Sequence, residues 1–332
     1  MKRFIFSLLF LLCTVTLADA ANRFAVCATT CTWDGASTAM WSTTTGGATG
    51  ASVPGSADAV ILDGATCVGG TTCIITVNTN PTILSLTMGA CTASTTGCIL
   101  DFSVNNNNVT IGSSSTPGSF SGTGTGTRTL KMGNGTWTVI GTGTIWTLAT
   151  VTNLTFTPGG SNLIFQISSV ANGGMATANG TVYGHVTING FLSNALAGIF
   201  TFPNNTFTIG TLDIVGPNLV SFPLSPAVLT ITNPVHWTAT GSAPIRLGPF
   251  SPTTQGRVTL TNGGTMSFAT IYNTGWTGAP TATNSMDQGL NSGITITGPG
   301  SGGACILGGW LLWRDITPDQ HNNLPAWIDK AA

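Results

Sequence analysis

Between about Val60 and Ile296 the chain alternates apolar residues with Thr, Ser and Asn in short runs broken by Gly, Asn or Pro. Examples are "AVILDG", "CIITVNTN", "TILSLTMG", "NNVTIG", "TWTVIGTG", "NLTFTPGG", "NLIFQIS", "HVTING", "TLDIVG", "VLTITN" and "RVTLTNGG". A period of two predicts strands that bury one row of side chains and present the other, rather than helices with a 3.6-residue stripe. Nearly every run ends in Asn or Gly, residues that tolerate positive φ and so turn the chain sharply.

Strands separated by about ten residues or less suit either a sandwich or a coiled solenoid. Two features favour the solenoid. "NNNN" at 105–108 and the Asn-Gly pairs beginning at Asn134, Asn172, Asn179, Asn189 and Asn262 recur at turns, where asparagines can stack from coil to coil. Thr and Val dominate the strands, and β-branched residues stacked in register suit a flat coil face. The expected fold is an all-β, right-handed parallel β-helix with capped ends, with a β-sandwich as the alternative. No strict period is visible, so the repeat is degenerate.

The ends differ from the middle. "TWDGASTAMWSTTTGGATGASVPGSADAVILDGA" places Trp33 and Trp41 before an irregular Gly-rich stretch, and the last part runs from "ACILGGWLLWRD" to "ITPDQHNNLPAWIDKAA". A solenoid exposes strand edges and apolar core at both ends and needs caps. The expected organisation is a signal peptide over 1–20, a disulfide-bearing cap with the first rungs over 21–112, a β-helix body over 113–300, and an apolar cap with a polar tail over 301–332.

Charge sharpens this picture: Asp, Glu, Lys and Arg make up 6% of the 332 residues, and every acidic residue is an aspartate. Disordered chains combine low hydrophobicity with high net charge, whereas 42% of this chain is hydrophobic. The start, "MKRFIFSLLFLLCTVTLADA", has the basic residues Lys2 and Arg3, an apolar run from Phe4 to Leu17, and Ala18 and Ala20 in an A-x-A arrangement. It reads as a secretory signal cleaved after Ala20, since the run is shorter than the roughly 20 residues of a membrane span. Cleavage leaves seven basic residues (nine less Lys2 and Arg3) and nine acidic ones (ten less Asp19). That near-neutral balance argues against nucleic acid or an anionic membrane as the main partner.

Outside the apolar start, six cysteines fall in close pairs, Cys27 with Cys31, Cys67 with Cys73, and Cys91 with Cys98, leaving Cys305 over. The spacings are wider than a C-x-x-C zinc knuckle, and no histidine precedes His185. Three local disulfides in an oxidising compartment are expected, with no metal and no cofactor.

The chain resembles a known family through four segments in order: "TWDGASTAMWSTTTGGATGASVPGSADAVILDGA", "GTRTLKMGNGTWTVIGTGTIWTLATVTNLTF", "TGSAPIRL" and "TNSMDQGLNSGITI". These are similar to the Gly/Thr-rich β-helix proteins of tailed bacteriophages and related environmental genomes, over roughly Ala21 to Thr297. The resemblance implies a virion or tail-associated structural role and carries no catalytic motif. The signal peptide and the paired cysteines depart from the phage pattern and fit a secreted or cell-surface relative equally.

In "GTGTGTRTLKMG" the glycines lack the G-x-G-x-x-G spacing, no helix follows, and Leu130 rather than glycine precedes Lys131, so a phosphate loop is not expected. No G-x-S-x-G elbow occurs. His185, His236 and His321 lie far apart in sequence. Asp58 and Asp63 are five apart, on opposite faces of a continuous strand, and read as a cap and a turn. Asp101 and Asp213 stand alone within apolar alternation; Arg314, Asp315, Asp319, His321 and Asp329 form a polar tail. Trp137, Trp146, Trp237 and Trp276 are the candidates for stacking on glycans, with core packing as the alternative. Asn-x-Thr triplets at Asn108, Asn134, Asn153, Asn179 and Asn204 read as turn chemistry.

The expected function is an exported structural or adhesive solenoid, associated with a virion or a cell surface and without catalytic activity. Its partners would be a host-surface polysaccharide, other virion proteins or further copies of itself. The alternatives are a secreted polysaccharide lyase or hydrolase, which needs a groove with two carboxylates within about 10 Å, and a non-catalytic carbohydrate-binding module.

Overall fold

In a computed structural model the alternating runs are strands, and no helix occurs among the described residues, which are 20–68, 72–89, 91, 97–124, 126–167, 172–189, 199–215, 219–239, 245–249 and 253–298. Residues 1–19 of the expected signal peptide, Cys305, and the apolar cap and polar tail expected over 301–332 lie outside them.

The strands coil into a parallel β-solenoid with three faces. The first face is a twelve-stranded sheet. It runs from Asn22–Ala25 through Ala59–Leu62, Ser85–Met88, Ser119–Ser121 and Gly143–Leu148 to Met286–Asp287, each strand parallel to the next rung. A five-stranded sheet from Thr30–Trp33 to Leu154–Thr157 begins the second face. The third begins with Thr82–Ile83, Val109–Ile111, Thr136–Gly141 and Asn162–Ile167.

Midway, the corner between the second and third faces is rounded by continuous strands. Val182–Asn189 and Phe207–Val215 both turn it: Val182 and Tyr183 pair with Thr208 and Ile209, and Phe207 to Ile209 pair onward with Leu229–Ile231. Their later residues continue the third face, from Asn162 and Gln166 through His185 and Asn189 to Thr211 and Val215. Gly184 and Gly210 sit at the bends, and a Cβ on Gly210 would lie 2.4 Å from the Gly184 carbonyl oxygen. Only glycine allows rungs to close this tightly.

The inward rows form columns along the axis. On the first face Val60, Leu86, Phe120, Trp146 and Met175 stack in register; on the third, Ile83, Ile111, Val139, Phe165, Ile188 and Ile214 do. All of these are buried. The parallel ladders rule out the sandwich, whose sheets are antiparallel. They also explain the missing period: Phe200 pairs with Val220, Phe120 with Trp146 and Arg23 with Val60, so coils absorb very different loop lengths.

At the N-terminal end Trp41–Ser42 runs antiparallel to Asn22–Ala25, and the buried rings of Trp33 and Trp41 meet edge to face at 5.0 Å. This is the cap expected of an open strand edge. The ladder runs without a break past residue 112, the expected end of the cap region, since Ser85–Met88 pairs with Ser119–Ser121 and Cys98–Asp101 with Arg128–Lys131.

Candidate functional site

Polar side chains concentrate at the corners and on the third face. The corner between the first and second faces carries the three disulfides, Cys27 with Cys31, Cys67 with Cys73 and Cys91 with Cys98. They lie on successive rungs, since Cys27 bridges to Cys67 and Cys73 pairs with Cys98. One rung further, the residue paired with Cys98 is Arg128. Its buried guanidinium donates to four backbone carbonyls: Nη1 to Gly126 (2.9 Å) and Thr152 (3.1 Å), Nη2 to Gly122 (2.7 Å) and Thr150 (2.8 Å). Arginine therefore ties two rungs where the preceding ones use sulfur. Burial pushes its pKa down from the ordinary value, yet a guanidinium stays protonated in a protein. Gly122 and Gly126, with Thr150 and Thr152 of the next rung, thus wrap a structural cation.

The corner between the second and third faces is held by asparagines. Asn80 Oδ1 accepts from the Asn108 N–H (2.9 Å) and Asn108 Oδ1 from the Thr136 N–H (2.8 Å). In a neighbouring column Asn106 Oδ1 accepts from Asn134 N–H (2.8 Å) and Asn134 Oδ1 from Gly160 N–H (2.9 Å). At the preceding corner, between the first-face strands and Val182–Asn189 or Phe207–Val215, Asn179 and Asn204 likewise accept from Thr206 and Leu224 N–H groups. Four of the five Asn-x-Thr asparagines so close turns onto the next rung, and Asn153 turns the chain at φ 56°.

The third face holds the most distinctive outward group. His185 Nε2 meets Asp213 Oδ2 at 2.7 Å, with both side chains substantially exposed. Around the pair, Thr187 Oγ1 donates to Asn162 Oδ1 (3.0 Å), Asn233 Nδ2 to Thr211 Oγ1 (2.8 Å), and His236 Nδ1 contacts Thr265 Oγ1 (3.1 Å). The sequence hid this pair, because His185 and Asp213 meet diagonally through a register in which His185 opposes Thr211 and Thr187 opposes Asp213.

Asp101 and Asp213 do not converge as polysaccharide cleavage requires. Asp101 belongs to the second face, in the coil that continues into Val109–Ile111. Asp213 lies four rungs beyond that strand, through Thr136–Gly141, Asn162–Ile167 and Val182–Asn189. At about 4.8 Å per rung this is an axial separation of about 19 Å. Asp101 is tied to Ser103 N–H (2.8 Å), Ser103 Oγ–H (2.6 Å) and Lys131 Nζ (2.9 Å). Burial works to raise its pKa, but these donors outweigh it and hold the carboxyl below its ordinary range. Asp58 accepts from Gly55 N–H (2.9 Å) and Ala21 N–H (3.3 Å) and lies 3.6 Å from Arg23, and Asp63 Oδ1 accepts from Ala65 N–H (2.9 Å), so both are the structural carboxylates expected.

The four tryptophans considered as glycan platforms are core residues: Trp137 and Trp146 are 0% exposed, Trp237 1% and Trp276 5%. Trp146 stacks on Phe120 at 4.1 Å, Trp137 meets Phe102 edge-on at 4.6 Å, and Trp276 meets Phe222 at 5.6 Å. Trp237 Nε1 donates to the Leu212 carbonyl (2.6 Å). In "TWTV" the alternation itself sets Trp137 inward with Val139, opposite Thr136 and Thr138. This corrects the glycan-stacking expectation, because the interior of a three-faced coil is wide enough to need such large rings.

No group of three or more His, Cys or acidic side chains among the described residues is placed to hold a metal ion, and these residues contain no helix long and apolar enough to cross a membrane. No protein-family model, curated protein or solved structure matches the chain.

Proposed function

We propose that this chain is an exported, non-catalytic β-solenoid that serves as a structural or adhesive element on a surface, a phage virion or tail being the setting its sequence resemblance suggests. The observation that carries the reading is that each described aspartate is held by a local donor. Asp34 accepts from Ala36 and Ser37, Asp58 from Gly55 and Ala21, Asp63 from Ala65, Asp101 from Ser103 and Lys131, and Asp287 from Gly289 and Asn291, while Asp213 pairs with His185. Acids spent on turns and rung ties serve rigidity. Export is supported by the basic start, the apolar run and the A-x-A end of residues 1–20, together with three disulfides.

The test is fractionation with an antibody to the chain. Recovery with purified particles or an intact cell surface supports the proposal. Recovery only as a soluble periplasmic protein that releases sugars from polysaccharide would overturn it in favour of a lyase or hydrolase.

A further inference from the structure

Toward the C-terminal end, Gly264–Ser267, Thr281–Thr283 and Thr295–Ile296 belong to a separate four-stranded parallel sheet and carry outward rows of hydroxyls. Thr265, Thr281 and Thr295 pair in register as one column, and Ser267 with Thr283 as a second. The residues between them face inward, with Met266 and Ala282 buried and Ile296 packed on the core. Thr265, Thr281, Thr283 and Thr295 are exposed. From strand geometry the hydroxyls repeat about every 4.8 Å along the axis and about 6.6 Å along each strand. Threonine is stiff at χ1, and the ladder beneath holds the backbone, so both hydroxyls and methyls stand in ordered rows before any ligand arrives.

We propose that this array binds the surface of ice. Its regular in-register repeat suits an extended, periodic partner rather than a single small molecule, which would take a concave site. The threonine and serine rows carry no charge of their own, and the one rung beside them that bears a titratable group is that of His236, whose Nδ1 contacts Thr265 Oγ1 at 3.1 Å; rows of neutral hydroxyls disfavour an ionic solid or nucleic acid. No aromatic side chain is among the exposed large hydrophobics of the described residues, which disfavours a polysaccharide surface read by ring stacking. Ordered water is the partner that remains: it donates and accepts hydrogen bonds at fixed intervals, and hexagonal ice presents oxygen nets with repeats in the range of the two spacings here. Rows of methyls beside the hydroxyls would seat against the hollows of such a net while the hydroxyls join its hydrogen bonds.

The experiment uses the full-length oxidised protein in ice-shell partition, with serum albumin as the control, and measures ice recrystallisation in parallel. The expected result is enrichment in the ice fraction, lost in the double variant Thr281→Lys/Thr283→Lys and kept in Thr155→Lys, which places the same change on the exposed second face. Circular dichroism checks that each variant keeps its sheet content, and the single Thr281→Lys replaces the double if that fails. Exclusion of the wild type from ice to the same degree as albumin overturns the proposal. So does equal enrichment of the array variants and wild type, or retention on crystalline cellulose or chitin without enrichment in ice. None of these outcomes depends on which surface carries the protein, so the proposed structural role is tested separately.

Discussion

Replacing Arg128 with methionine removes a cation and four hydrogen bonds from the interior while keeping most of the side chain's volume. The guanidinium bridges carbonyls of two successive corners, Gly122 and Gly126 on one and Thr150 and Thr152 on the next, at 2.7 to 3.1 Å. The Gly122 acceptor is the most deeply buried, and the other three are partly so. Leaving one buried carbonyl unpaired costs about 2 kcal/mol, and three that water partly reaches about 1 kcal/mol each. Relief of the charge's desolvation offsets part of that total. A loss of about 3 to 4 kcal/mol is expected, and Arg128→Lys recovers only part of it because an ammonium lacks the planar fork. Denaturant unfolding followed by tryptophan emission is the assay, since Trp137 and Trp146 belong to the same and the next rung. Solenoids need not unfold in one step, so hydrogen exchange across residues 119–157 localises the effect. A methionine variant within about 1 kcal/mol of wild type would refute the corner-tie argument and show that the backbone ladder alone holds the corner.

Reducing the disulfides, which close separations of 4, 6 and 7 residues, should cost about 2 kcal/mol each and raise hydrogen exchange in the rungs from 22 to 101 while leaving those beyond 162 unchanged; uniform loss of protection would contradict a locally acting staple. Gly210→Ala sets a Cβ against the Gly184 carbonyl and should destabilise by about 1 to 3 kcal/mol in thermal or denaturant unfolding, whereas Gly143→Ala, with open space but φ 68°, isolates the backbone-strain component. Because the Asp101 carboxyl is held below its ordinary range in the folded chain, its contribution is complete above the unfolded carboxylate's pKa and disappears as pH falls through the folded value. Stability measured from pH 7 down to pH 2 should therefore decline less steeply in Asp101→Asn than in wild type; parallel curves would show that the Ser103 and Lys131 contacts carry no proton linkage.

Local pattern was enough to determine the strands, because a period of two needs only neighbouring residues to be read. It also placed the turns, through Asn and Gly, and the disulfides, through cysteines a few residues apart. The stretch "GTRTLKMGNGTWTVIGTGTIW" already separates Arg128–Lys131, Thr136–Gly141 and Gly143–Leu148 at its "GNG" and "GTG" corners. What lay beyond reach was register between rungs, since each coil spans a different number of residues. Only register sets Arg128 above Cys98, brings His185 to Asp213, separates Asp101 from Asp213, and lines up Thr265, Thr281 and Thr295. The tryptophans mark the boundary between the two kinds of information. Alternation set Trp137 inward, but the three-faced closure decided that an interior would be there to receive it.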